Sequence, residues 1–283
     1  MALFTNQATL TYNGTATNSN VVFGEILEAL AIGKTAVEGS YTPGSIVTYA
    51  VSFRNSGGVL NGLTVTDDLG AYPFGTGSVV PLTYVDGSAT LFVDGALVAT
   101  PVVSAGPPLV FSGVTLPAGA DAVLIYQARV NEFANPAVGG VITNTVTVSG
   151  GGLTTPVTAS ETTGVSVMPM LSIFKSLTPS TVTDNDNLTY TFLIQNSGNE
   201  SILATDDAVV TDTFNPILTN IVVTYNGTVW TEGVDYTYDE TTGVFATLPG
   251  RLAVTAATYT QDTTTGAYTL TPGVATLTVT GTV

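Results

Sequence analysis

An all-β fold of two tandem sandwiches, the second lacking its last strand, is what this sequence predicts, and three observations predict it. Apolar and polar residues alternate with period two through IVTYAVSF (46–53), AVLIYQARV (122–130) and VITNTVTV (141–148), each bounded by Gly, Pro, Asn or Asp. The pattern then recurs. AIGKTA (31–36) returns as SIFKSL (172–177), IVTYAVSFRNSGG (46–58) as NLTYTFLIQNSGN (187–199), TVTDDLG (64–70) as VVTDTFN (209–215), and LPAGADAVLIYQARV (116–130) as LTPGVATLTVTGTV (270–283). Finally, the first copy continues into VITNTVTV, whereas the second stops at Val283, where that strand would still be to come.

From the N-terminus, FTNQATLTYNG (4–14) matches ITNTVTVSGGG (142–152), with Asn6 on Asn144. Residues 1–20 therefore read as the last strand of a sandwich carried at the front of the chain, with Phe4, Ala8 and Leu10 on the face of Asn6. A linker follows at 21–30. EILEALAI (25–32) is the only helix-like stretch, short and without a persuasive cap. The first sandwich spans 31–150 and includes LTVTD (63–67); a second linker covers 151–170, and the second sandwich covers 171–283. Asp-Gly in YVDGS (84–88) and FVDGA (92–96), and Asn-Gly in TYNGT (224–228), predict type I′ hairpins.

Composition removes most other functions. The 283 residues carry a net charge of −16, with 5 basic against 21 acidic side chains, so no phosphate-binding surface and no nucleic-acid partner are expected. Without Cys there are no disulfides or thiolate sites, and without His no imidazole base or triad. No run approaches the roughly 18 apolar residues of a membrane span. MALFTNQATL lacks a basic segment followed by an apolar one, so the expectation is a processed form or another route out of the cell. Charged residues make up only 9% of the chain, and with many β-branched residues this suits an extracellular structural protein. The acidic excess keeps an edge-rich β protein soluble.

No metal or cofactor is expected. TDNDNLT (183–189) alternates oxygen-bearing side chains but lacks the full calcium-loop spacing, and reads as a polar turn. Asp67-Asp68 and Asp206-Asp207 resemble paired glycosidase carboxylates, with no aromatic groove beside them and Trp230 as the only tryptophan. Asn-x-Ser/Thr at Asn13, Asn187, Asn199 and Asn226 is frequent by chance in a Thr-rich chain.

A sandwich without its final strand leaves core and backbone groups uncovered, and a lone strand is not stable. Each chain thus carries a groove at one end and its complement at the other, so the expected partner is another copy, joined head-to-tail by strand addition. The alternative is a disordered N-terminal tail and a second copy that is simply shorter.

Counting by twos puts Lys34, Lys175, Asp67, Asp212 and Asn144 on core faces, and Asn6 on the apolar face of its strand. A buried lone lysine is costly unless paired. Burial favours a neutral amine and a neutral carboxyl, and a neutral amine can attack an Asn carbonyl with acid assistance, giving a Lys–Asn isopeptide bond and ammonia. The alternatives are a hydrogen-bonded polar cluster, or a lysine snorkelling to the sandwich edge.

The G-x-x-V-T-Y…N-S-G run, the V-T-D strand and the first-strand Lys-Thr resemble domain-of-unknown-function family eleven, the prokaryotic conserved repeat domain, over both copies. This resemblance implies Ig-like sandwiches of bacterial and archaeal surface proteins. The Lys/Asp/Asn pattern is similar to that of isopeptide-forming Ig-like domains of Gram-positive pilins and adhesins. Carried over, Lys34 would join Asn144 with Asp67 assisting. Lys175 and Asp212 have no Asn in their own final strand, and Asn6 of a neighbouring subunit fits that role. The expected function is a structural subunit of an extracellular filament on a cell or spore surface, not an enzyme beyond one self-ligation, with a surface anchor protein as the other partner. The alternative is an Ig-like adhesin binding through loops such as AYPFGTGSVVPLTYV (71–85).

Overall fold

The computed structural model describes residues 2–26 and 29–283. Among them every regular element is a strand, apart from one 3-10 turn at Ala204–Asp206. Of the helix-like stretch 25–32, residues 27 and 28 lie outside the described residues, and the rest belongs to the strands Val22–Ile26 and Leu30–Ala36 apart from Ala29. No described helix is long and apolar enough to cross a membrane. The chain divides into two compact units, residues 1–131 with 142–163, and residues 132–141 with 164–283.

The first unit is a sandwich. One sheet runs Ala96–Val98, Thr90–Val93, Asp121–Val130, Ile46–Asn55, Leu30–Ala36. The other runs Val102–Ser104, Leu109–Leu116, Leu60–Asp67, Val141–Gly150, Val157–Val165, Ser40–Tyr41. Alternation places Val47, Tyr49, Val51 and Phe53 inward from one strand and Leu63, Val65 and Asp67 inward from another, all buried. The expected linker 151–170 contains a nine-residue strand, because Thr and Val at 157–165 continue the alternation and pair beside Val141–Gly150.

The repeated N-S-G motif closes the end of a strand. Asn55 donates through Nδ2 to the carbonyls of Gly58 (2.8 Å) and Pro117 (2.7 Å) and accepts from the Gly57 amide at 3.0 Å. Its counterpart Asn196 donates to the Glu200 carbonyl at 2.6 Å and accepts from the amides of Gly198 (2.9 Å) and Met170 (3.0 Å).

Two of the three expected hairpins form as read, with positive φ at both Asp94–Gly95 and Asn226–Gly227. Asp86–Gly87 does not reverse the chain. Only Gly87 has positive φ, and Leu82–Tyr84 and Thr90–Val93 lie along the same edge of Asp121–Val130 as one interrupted strand. The 71–85 insertion is thereby partly core: Leu82 and Tyr84 are buried, and Tyr72–Phe74 pairs with Gly77–Val79.

The second unit repeats the first sheet as Leu171–Thr178, Asn187–Asn196, Gly273–Thr282, Thr219–Tyr225, Thr228–Val229. Its other sheet has only three strands, Thr211–Thr213, Val244–Thr247, Tyr236–Asp239. Thr211–Thr213 is at the edge of this sheet, whereas its counterpart in the first unit pairs with Val141–Gly150.

The N-terminal segment departs most from expectation. It is a two-stranded ribbon rather than one strand and a linker. Ala2–Asn6 pairs with Val22–Ile26, and Thr9–Tyr12 pairs with Thr15–Asn18. The chain turns at Asn13 (φ 47°) and Gly14 (φ 76°), the positive-φ pair that an Asn-Gly turn supplies.

Candidate functional site

Lys34 enters the first core because its strand places it opposite Val51, facing the aromatic side of the sheet. Its ammonium lies 4.8 Å from the Tyr49 ring and 5.8 Å from the Tyr126 ring, which stack on each other. It pairs with Asp67, the last residue of Leu60–Asp67, and both side chains are fully buried. The Tyr126 hydroxyl donates to the same carboxylate oxygen, Oδ2, while Oδ1 accepts from the Leu69 amide at 2.9 Å. Asn144, 0% exposed, donates through Nδ2 to the Tyr126 hydroxyl oxygen at 3.3 Å. The three residues picked from the sequence are thus joined in one network, through a tyrosine that was not picked.

The electrostatics favour a reactive amine. Burial lowers the Lys34 pKa, even though Asp67, Asp68 and Glu161 pull it the other way. Burial first, and then the Asp67 charge, raises the Tyr126 pKa, so the phenol keeps its proton and remains a donor. Among the described residues, three buried side-chain polar atoms have no hydrogen-bond partner: the Asn144 carbonyl oxygen, the Tyr49 hydroxyl and the Thr163 hydroxyl. Orphaned buried groups are rare in folded proteins because each forfeits its hydration. Here the amide carbonyl of Asn144 is left uncommitted beside the Tyr126 hydroxyl. Tyr126 was within reach of the same counting by twos, since it occupies a core-facing position of AVLIYQARV.

The second unit repeats half of this arrangement. Lys175 pairs with Asp212 and lies 4.4 Å from the Tyr190 ring, but the two side chains are 39% and 19% exposed. The expected burial of Lys175 fails for a physical reason: every residue of Leu171–Thr178 is exposed, since nothing covers that face. Beside it runs an apolar groove of about 190 Å³ lined by Leu171, Ile173, Ile194, Val210, Leu252 and Val254.

Asn6 lies on the ribbon opposite Val22. Phe4, Asn6, Ala8 and Leu10 are all exposed, as are Leu3 and Phe23, the last two at 82% and 79%. Isolated two-stranded ribbons are marginal in water, and this one keeps Leu3, Phe4, Leu10 and Phe23 in solvent.

The other acidic candidates have local duties. Asp68 accepts from the amides of Gly70 and Thr145, and Asp186 closes a turn on Thr183. No group of three potential metal ligands is present among the described residues.

No protein-family model matches the sequence, and no curated protein shows significant sequence similarity to it. Solved structures similar to this chain include BcpA, the major pilin subunit of Bacillus cereus (13% identity, 96% of this chain and 73% of that chain, TM-score 0.36). The pilus backbone RrgB of Streptococcus pneumoniae is similar at 11% identity over 86% of this chain and 55% of that chain, with a TM-score of 0.34. The collagen-binding subdomain of the Enterococcus faecalis surface protein ACE is similar at 8% identity over 49% of this chain and 99% of that chain, with a TM-score of 0.30. These likenesses concern the arrangement of strands; the functional reading rests on this chain's own residues.

Proposed function

We propose that the protein is a structural subunit of an extracellular filament, polymerising head-to-tail as the N-terminal segment of one chain completes the second unit of the next. The observation that carries this is a mismatch within one chain. The first sandwich has Val141–Gly150 against Leu60–Asp67, the second has an open edge at the same place, and a segment of matching sequence stands exposed at the N-terminus. Covering the groove would bury side chains such as Ile173 and Leu10, each worth roughly 1.5–3 kcal/mol when fully buried.

Covalent bonds would reinforce both joints. The neutral Lys34 amine attacks Cγ of Asn144, a C–N bond to Nζ forms, the bond to Nδ2 breaks, and ammonia leaves. Asp67 takes the proton from the amine and returns it to the departing nitrogen, so the acid is unchanged. Lys175, Asp212 and the incoming Asn6 would do the same between subunits. This is single-turnover self-ligation rather than enzymatic turnover. The site on the cell or spore surface and an anchor protein there belong to the same reading.

The test is deletion of residues 2–26. Wild-type protein should form filaments in negative-stain micrographs without added ligand, and the deletion variant should remain monomeric by light scattering. Filaments formed by the deletion variant would defeat the proposal.

A further inference from the structure

We infer that the incoming element is the whole two-stranded ribbon, and that it seats in one register, with Ala8 opposite Asp212 and Leu10 opposite Val210. The inference rests on the filament reading above and specifies its joint.

The register comes from the first unit, where the equivalent joint lies within the chain. There Val146 pairs with Asp67, Thr147 with Thr66 and Val148 with Val65. Asn6 stands 138 positions before Asn144, and Asp212 stands 145 after Asp67. Transferring both offsets puts Ala8 on Asp212, Thr9 on Thr211 and Leu10 on Val210. The core-facing series Ile142, Asn144, Val146, Val148, all buried, becomes Phe4, Asn6, Ala8, Leu10. Leu10 would then lie beside Val210, which lines the apolar groove.

Two independent constraints fix this register. A slip of one residue turns Phe4, Ala8 and Leu10 to solvent and Thr9 and Thr11 to the groove. A slip of two keeps the faces but moves Asn6 by about 7 Å along the strand, away from Lys175 and Asp212. Only the unshifted register satisfies the apolar face and the polar set together.

The second strand of the ribbon also has a counterpart. In the first unit Thr143 bonds Thr162 and Thr145 bonds Ser160 through their hydroxyls, each at 2.9 Å, which places Asn144 across from Glu161. In the ribbon Asn6 is across from Val22, in the same arrangement, already formed before any docking. Beyond it, Val157–Val165 pairs with Ser40–Tyr41. The offset of 141 between Lys34 and Lys175 makes residues 181–182 the counterpart of 40–41, and hence the seat for Val22–Ile26. A preformed ribbon docks with less ordering cost than a free strand.

The chain has no cysteine, so pairs can be placed at will. Thr9 and Thr211 are exposed and face away from the groove in this register. Full-length chains carrying Thr9→Cys or Thr11→Cys are mixed in turn with chains carrying Thr211→Cys or Thr213→Cys and assembled under mild oxidation. Peptide mass spectrometry of the digested filaments then identifies the linked positions, whether or not an isopeptide bond is also present. A disulfide needs Cα atoms within about 7 Å, so directly opposed positions dominate. The expected result is 9–211 linkage at least tenfold above 9–213 and 11–211, which both report the same two-residue slip, and above 9–209, made with Val209→Cys, which reports the opposite one. Filaments in which any slipped pair dominates overturn the register and leave strand donation standing. Filaments with no linkage between these segments overturn donation itself, and failure of the unsubstituted chain to assemble overturns both. For the second strand, hydrogen exchange on full-length protein should show the amides of Thr181 and Val182 protected in filaments and open in free chains. Unchanged exchange there reduces the docked element to one strand.

Discussion

The Tyr126 hydroxyl donates to the same oxygen of Asp67 that the Lys34 ammonium reaches, and it accepts from the amide nitrogen of Asn144. It is the link between the Asp67 carboxylate and the Asn144 side-chain nitrogen. In the second unit the position is different: Tyr126 pairs with Tyr49, whereas Tyr190, the counterpart of Tyr49, pairs with Val279. The first unit therefore has a phenol at a position where the second has Val279.

Tyr126→Phe should accordingly slow the Lys34–Asn144 bond without abolishing the fold, by roughly a hundredfold, the low end of general acid–base effects. The readout is the fraction of refolded chains whose intact mass has fallen by one ammonia, followed over time. A purely structural tyrosine would lower stability and leave that rate unchanged.

The rate of the same reaction should rise with pH. Burial lowers the Lys34 pKa, so raising the pH from about 6 to about 8 increases the neutral amine, roughly tenfold per unit while the ammonium dominates. The sign for stability agrees. The unfolded lysine holds its proton to higher pH than the folded one, so an unreactive Asn144→Ala variant should gain stability as pH rises between the folded and unfolded pKa values. A rate that falls with pH would rule out the neutral-amine route.

Removing one member of the buried pair separates charge burial from stapling. Lys34→Met leaves the buried Asp67 charge without its cation, held only by the Tyr126 hydroxyl and the Leu69 amide, and also prevents the bond, and should cost about 3–5 kcal/mol in chemical denaturation. Lys34→Met combined with Asp67→Leu removes the stranded charge as well. If charge dominates, the double variant recovers most of the loss; if the staple dominates, it stays as unstable as the single one.

Sandwich class, repeat and Lys/Asp contacts were legible because each depends on period-two alternation, which sequence displays directly. Asp67 and Asn144 fall on their core faces, and Lys175 reaches its acid as counted. Counting by twos reports which face Lys175 is on but not what covers that face, so its exposure follows instead from the missing last strand that the repeat already indicates. The ribbon was missed although TYNGT at 11–15 repeats the TYNGT of 224–228, where the hairpin was recognised. Polar Thr and Asn at 15–20 hid the returning strand, because neither of its faces is apolar enough to show alternation. Asp86–Gly87 failed in the opposite sense: a dipeptide reports a turn but not whether the strands on either side pair with each other.

The N-S-G asparagines should behave as structural caps. Asn55→Ala removes the partner of the Gly57 amide and one of the two donors to the Pro117 carbonyl, which keeps the Ala120 amide, and should cost roughly 1–3 kcal/mol, the range for one unsatisfied buried group. Asn196→Ala should cost a similar amount in the second unit. Neither should change which residues become cross-linked in protein that still folds, as peptide mapping would verify.

The joint between subunits makes the sharpest demand on the chemistry. Lys175 and Asp212 already touch, yet they lie partly in water and no asparagine of their own final strand faces them. Docking would bring Asn6 and exclude solvent at once, so free subunits should stay unreacted and the bond should follow assembly. Without a counterpart of Tyr126 this bond should also form more slowly than the internal one. Filaments boiled in SDS should therefore give a ladder that lengthens with time after assembly, while the internal ammonia loss is complete earlier. Lys175→Ala and Asn6→Ala should each collapse the ladder to monomer, and Lys34→Ala should leave it. A ladder that persists in Lys175→Ala filaments excludes this pairing, and filaments that dissolve wholly to monomer leave donation as a non-covalent contact.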